Sequence, residues 1–152
     1  MEIVGAFERV YTVNDYYDGP RSGFADCGGV PHAYRSLWRH DLDDWDPDDR
    51  FLLAPVTPEV LAIALEDWAI WLRWEDAYYA GRTTDATHPA LPADQPRHAE
   101  IRPVIDQALE VDAARACIAV GEFRAKDRGP GEIRTPGRLA ELEVRWIPAS
   151  LS

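Results

Sequence analysis

Residues 57–81 read TPEVLAIALEDWAIWLRWEDAYYAG. Thr57 followed by Pro58 and Glu59 is a helix start, because proline's fixed φ suits the first turn and its missing N–H is no loss there. Gly81 is a natural stop. Advancing about 100° per residue places Val60, Leu61, Ala64, Leu65, Trp68, Trp71, Leu72, Tyr78 and Tyr79 on one broad face. Glu75 falls near the centre of that face. A carboxylate among tryptophans and tyrosines requires a partner, a raised pKa or a chemical role. Asp67 borders the same face but lies two turns away, roughly 11–12 Å along the axis. The partner of Glu75 is therefore expected from another segment: Arg21, Arg35 or a tyrosine of the N-terminal strands.

Working outward, residues 3–17 form a β-rich run, and Asp18-Gly19-Pro20 is turn chemistry. Residues 23–27 and 30–38 flank Gly28-Gly29 and read as a hairpin with a two-residue turn, in which Cys27 opposes Val30 and Ala25 opposes His32. Residues 41–49 are an acidic loop, and residues 50–56 a short buried strand. Beyond the helix, residues 82–96 make a polar connector in which Pro89 and Pro92 exclude a regular helix. A second helix is expected over about residues 97–112, with Ile101, Val104, Ile105, Ala108 and Leu109 on one face and Pro103 marking its true start. Residues 116–124 read as a strand, 127–137 as a Gly/Pro loop, and 139–147 as a final strand pairing with the one before. The expected fold is α+β: a single domain over residues 1–152, with a mostly antiparallel sheet and two helices packed on one face.

The 152 residues carry a formal net charge of −11, with six tryptophans and six tyrosines. This balance argues against phosphate-backbone binding, so no nucleic-acid partner is expected. Charged residues interrupt every apolar stretch before it can span a bilayer, and no leader pattern opens the sequence, so the cytoplasm is the expected compartment. Two cysteines, Cys27 and Cys117, are too few for a disulfide framework and lack zinc spacing.

The residues that suggest chemistry fall into four groups. Glu75 is a candidate general acid or base; a structural pair holding helix to sheet is the competing reading. The turn Asp15-Tyr16-Tyr17-Asp18-Gly19-Pro20-Arg21 packs acids, phenols and a guanidinium together, and Arg21 carries the donor fork that suits carboxylate or phosphate. On the hairpin, Cys27, His32 and Tyr34 share one face, which allows a thiol–imidazole pair but shows no third member. Asp44-x-Asp46-x-Asp48 begins like a calcium loop and then fails, with Asp49 at the turn-glycine position and Pro55 where a bidentate Glu belongs. His40, His88 and His98 lack a ligand-type neighbour one helical turn away, although His98 and Arg102 share a face. The candidate catalytic residues are thus Glu75, Asp18 and His32. The candidate binding residues are Tyr16, Tyr17, Asp18, Arg21, Tyr34 and Trp71. No metal and no cofactor are implied.

The segments DYYDGPRSGFADCGGVPHAY (15–34), LEDWAIWLRWEDAYYAG (65–81) and THPALP (87–92) resemble a group of small bacterial proteins without an established activity. The resemblance covers about the first two thirds of the sequence and implies no functional residue.

Two functions fit. The first is a small acidic binding protein that engages a basic protein partner, an immunity or inhibitor protein being its concrete form; acidic charge speeds such association and aromatic anchors supply its hot spots. The second is a cofactor-independent enzyme or ligand-binding domain. Its carboxylate/Tyr/Arg site would lie between the long helix and the N-terminal hairpin. Whether the protein is an enzyme stays open on sequence alone.

Overall fold

The computed structural model describes residues 5–126 and 141–150. The predicted hairpin forms as read: β2 (Pro20–Cys27) and β3 (Val30–Ser36) pair antiparallel with Cys27 opposite Val30 and Ala25 opposite His32. Gly28 and Gly29 take φ of 62° and 77°, a left-handed pair that glycine adopts without a Cβ penalty. The Glu8 carboxylate accepts from both turn amides, at 3.0 and 2.7 Å, which ties the turn to β1 (Glu8–Tyr16).

Six strands follow the ring order β1, β2, β3, β6 (Arg50–Pro55), β7 (Cys117–Ala125) and β8 (Leu142–Pro148), and β8 returns to β1. Every pairing is antiparallel. The expected α+β class with an antiparallel sheet is what forms, and the sheet closes on itself into a barrel. Among the described residues, the closing seam pairs Glu8 with Val144 and Arg9 with Glu143. Closure removes the edges that an open sheet would leave exposed. A two-stranded ribbon, β4 (Trp38–Arg39) with β5 (Asp44–Trp45), stands between β3 and β6.

Side-chain alternation fills both sides of the central strands. Tyr34, Phe51, Leu53, Phe123, Val144 and Trp146 belong to one buried cluster, and Phe24, Ala33 and Leu52, one residue out of phase, belong to another. Tyr34, Phe51, Phe123 and Trp146 meet ring to ring at 5.5–6.1 Å. Fully burying one such ring is worth about 1.5–3 kcal/mol. The second cluster is completed by Ala64 and Ile105 from the helices.

Both helices lie between β6 and β7 in the chain. α1 (Pro58–Tyr79) is capped by Thr57, whose side chain accepts from the Val60 amide. Its buried residues are Ala64, Asp67, Ile70, Trp74, Glu75 and Ala77. The wheel reading is corrected here. The helix packs on α2 (Gln95–Leu109) as well as near the barrel, so its buried arc takes in Asp67 and leaves Leu72, Tyr78 and Tyr79 exposed. α2 begins at Gln95, and Pro103 lies inside it rather than at its start. No helix among the described residues is long and apolar enough to cross a membrane. The predicted 127–137 loop, and residues 139 and 140 of the last strand, lie outside the described residues, as do residues 3 and 4 of the first run.

The acids of the 41–49 loop are exposed except for Asp46. Asp46 is only 2% exposed. It accepts from the Arg50 amide at 3.1 Å and from the Arg50 guanidinium at 2.9 and 2.8 Å. Arg39 approaches it at 3.5 Å. Hydrogen bonds from Arg50 hold its carboxyl down to about 2. Its oxygens are committed to guanidinium groups, which is not how a cation site is built. No acid, histidine or cysteine cluster among the described residues has the geometry to hold a metal.

Candidate active site

Two neighbouring clefts lie between the end of β1 and the helix pair, and Asn14, Asp15 and Arg102 line both. The first, about 610 Å³, is walled by Trp68 and Trp71 of α1, His88 and Pro89 of the connector, and Tyr16 of β1. The second, about 680 Å³, is bounded by Arg21, Arg35, Trp38 and Trp45. Both volumes suit small-molecule ligands.

The first cleft owes its wall to the connector. Residues 85–87 form a short 3-10 turn. The Trp74 indole donates to Thr87 Oγ1 at 2.9 Å, and Thr83 Oγ1 is bonded to the same hydroxyl. These contacts bring the His88 ring edge-on to Trp71 and Trp74, at 5.3 and 4.7 Å. Trp71, Trp74 and Tyr78 stack along the helix, one turn apart, at 5.1 and 5.0 Å.

Asp67 and His98 stand on the same cleft. Asp67 is 6% exposed, and its Oδ1 lies 2.6 Å from His98 Nδ1 across the α1–α2 interface. A carboxylate only accepts, so Nδ1 donates and the neutral ring carries its lone pair on Nε2. The other Asp67 oxygen lies 4.0 Å from Arg102 Nη1. Arg102 in turn donates to Asp106 at 2.8 Å. A buried carboxylate that fixes the tautomer and plane of an imidazole is the orienting half of a general-base arrangement.

Two ion pairs also bridge α1 and the start of α2. Arg73 forks onto Asp94 at 2.9 Å through both nitrogens, and Arg97 onto Glu66 at 2.6 and 2.8 Å. These pairs are half-exposed and each stabilises little. Asp67–His98 differs in being buried at its carboxylate and in facing a cleft.

The residues singled out in the sequence are only partly brought together. Tyr16 and Trp71 meet in the first cleft, and Arg21 lines the second. Tyr17 is 69% exposed. Asp18 occupies the turn with φ 55° and offers its carbonyl to Arg21. His32 sits beside the hairpin turn, donating from Nδ1 to Val30 O at 2.7 Å. Tyr34 is corrected from a binding residue to a core one. It is fully buried, and its hydroxyl donates to Thr12 O at 2.9 Å. Glu75 is buried as expected and is engaged in a polar or ring interaction. Arg21, one of its anticipated partners, instead donates to Tyr17 O, Asp18 O and Ser36 Oγ. No hydrogen bond joins Cys27 to His32 among the described residues. Burial, with Glu8 and Cys117 nearby, pushes the Cys27 thiol up, the wrong direction for a nucleophile.

Asp67 and His98 were missed as a pair. The sequence showed each on a helix, but 31 residues separate them, and only helix docking brings them together. Comparison with known protein families, curated proteins and solved structures finds no match.

Proposed function

We propose that this chain is a cofactor-independent enzyme or ligand-binding domain that holds a small molecule in the tryptophan-walled cleft, with His98 as the proton-accepting group and Asp67 as the residue that orients it. The observation supporting this reading is the 2.6 Å bond from a buried carboxylate to an imidazole that lines a cleft of ligand size. Trp68 and Trp71 offer flat apolar surface to the ligand, and Tyr16 a phenol. The reaction class is hydrolysis or proton transfer, in which a positioned base contributes about 10²–10⁴-fold.

The test is a panel of aryl ester, amide and phosphate substrates assayed with wild type, His98→Gln and Asp67→Asn. The expected result is a turnover that His98→Gln lowers by about 10²-fold or more. Asp67→Asn should lower kcat, because an amide no longer selects the donor tautomer. Turnover that persists unchanged in a folded His98→Gln protein sinks the reading.

The binding-protein reading keeps one observation of its own. Trp38 and Trp45 meet edge-to-face at 5.0 Å, Arg21 stacks on Trp45 at 4.8 Å, and exposed Tyr17 accepts from Arg21 through its carbonyl. This aromatic cluster beside the acidic loop suits a basic protein partner. Affinity capture from the native host at physiological salt that recovers no basic protein counts against it.

A further inference from the structure

We propose that Arg21 and Arg35 form a carboxylate-binding subsite in the second cleft, so that the ligand of this protein is a small aromatic or apolar molecule bearing one carboxylate. Arg21 is 9% exposed, and its charge is compensated by no carboxylate within 4 Å among the described residues. Its bonds go to neutral oxygens only: Nε to Tyr17 O at 2.7 Å, Nη1 to Ser36 Oγ at 3.3 Å, and Nη2 to Asp18 O at 3.4 Å. Asp49 feels the Arg21 charge without pairing with it. A guanidinium has five N–H groups, so these three bonds leave two donors on a side chain that lines a cleft.

Trp45 lies face-on to the guanidinium at 4.8 Å, which holds its plane and leaves its edge for a ligand. Arg35 lines the same cleft, is exposed, and its side chain makes no hydrogen bond or ion pair among the described residues. Arg102, the third arginine of the cleft, is already committed to Asp106. A desolvated arginine without a counter-charge is costly, and an incoming anion removes that cost.

The remaining acids select the anion. Asp15 and Glu110 also line the cleft, and their repulsion weighs more heavily on a dianionic phosphate than on a singly charged carboxylate. The clefts share Asn14, Asp15 and Arg102, so a ligand anchored at Arg21 extends toward Trp68, Trp71 and His98. The inference deepens the reading of that cleft as a ligand site and rests on it for the rest of the molecule, but the subsite is measurable alone.

The experiment titrates ¹⁵N-labelled full-length protein with benzoate, benzylamine and inorganic phosphate. It follows the Arg Nε–H signals and the Trp45 indole N–H. Saturable shifts of Arg21 and Trp45 with benzoate, absent with benzylamine and weaker with phosphate, are expected. Arg35→Gln should weaken benzoate by about tenfold, the size of one charge-assisted hydrogen bond. Arg21→Gln should weaken it further; because Arg21 is buried and that variant risks misfolding, Arg35→Gln carries the test. Unmoved Arg21 and Trp45 signals, equal response to benzylamine, or undiminished benzoate binding by Arg35→Gln overturns the proposal. Phosphate binding tighter than benzoate overturns the carboxylate assignment. Benzoate binding by a protein that turns over no substrate removes the Asp67–His98 reading and leaves the subsite standing. Turnover in a protein that ignores benzoate does the reverse.

Discussion

Gly23 and Asp46 show how single residues constrain this fold. A Cβ on Gly23 would lie 2.3 Å from Thr12 O and 2.7 Å from the Tyr34 hydroxyl. The first neighbour is backbone of the paired strand and cannot turn aside. Gly23→Ala is therefore expected to cost at least about 1–3 kcal/mol, the usual range for overpacking, measured by urea unfolding. A neutral result would mean that β1 can shift away from β2. Asp46 sets an acid limit. Its folded carboxyl is held at about 2 by Arg50, whereas an unfolded Asp titrates near ~3.9. The lowered value means that its stabilisation is complete above the unfolded pKa and is lost as pH falls from about 4 to about 2. Asp46→Asn should flatten the stability profile in that window, read by thermal melts across pH.

Among the elements, α2 departs most from an ideal helix. Pro103 sits inside it, exposed, where it removes a backbone donor. Proline in a helix interior costs about 3 kcal/mol relative to alanine, and unfolded-chain stiffness returns about 0.4–1 of that. Pro103→Ala should thus stabilise the protein by roughly 2 kcal/mol, seen as a higher Tm. A lower Tm would show that the proline-shaped backbone around Arg102 is required for α2 to dock on α1. The two helices matter to the site in different ways. α1 supplies the buried carboxylate and the tryptophan wall, while α2 supplies the imidazole.

For the whole molecule, the narrow point is the seam between the first and last strands. Among the described residues, Glu8–Val144 and Arg9–Glu143 are the pairs there. Phe7, just before the seam, lies under the guanidiniums of Arg124 and Arg145, at 3.6 and 5.0 Å. Those arginines bind Glu143 and Glu122 on neighbouring strands. Phe7→Ala should lower stability by about 1 kcal/mol, the sum expected of exposed cation–π contacts. It should also speed hydrogen exchange at the seam amides more than at the β2–β3 hairpin. Uniform acceleration across the barrel would show that the seam does not open by itself.

What was legible in the sequence was local. Gly28-Gly29 dictated a two-residue turn and with it the β2–β3 register, since only one register follows from that turn. Thr57 and Gly81 bounded the long helix, because caps act on the nearest backbone groups. The burial of Glu75 followed from helical periodicity. Barrel closure, the second buried side of α1 and the Asp67–His98 bond depend on contacts between segments far apart in sequence. Residues 50–56 did read as a buried strand, yet alternation cannot say whether the last strand returns to the first. The tertiary structure decided that, and it also made the Asp67–His98 pair: docking α2 on α1 joined a border aspartate to a histidine 31 residues away, because a 2.6 Å bond requires two helices to be set at one spacing.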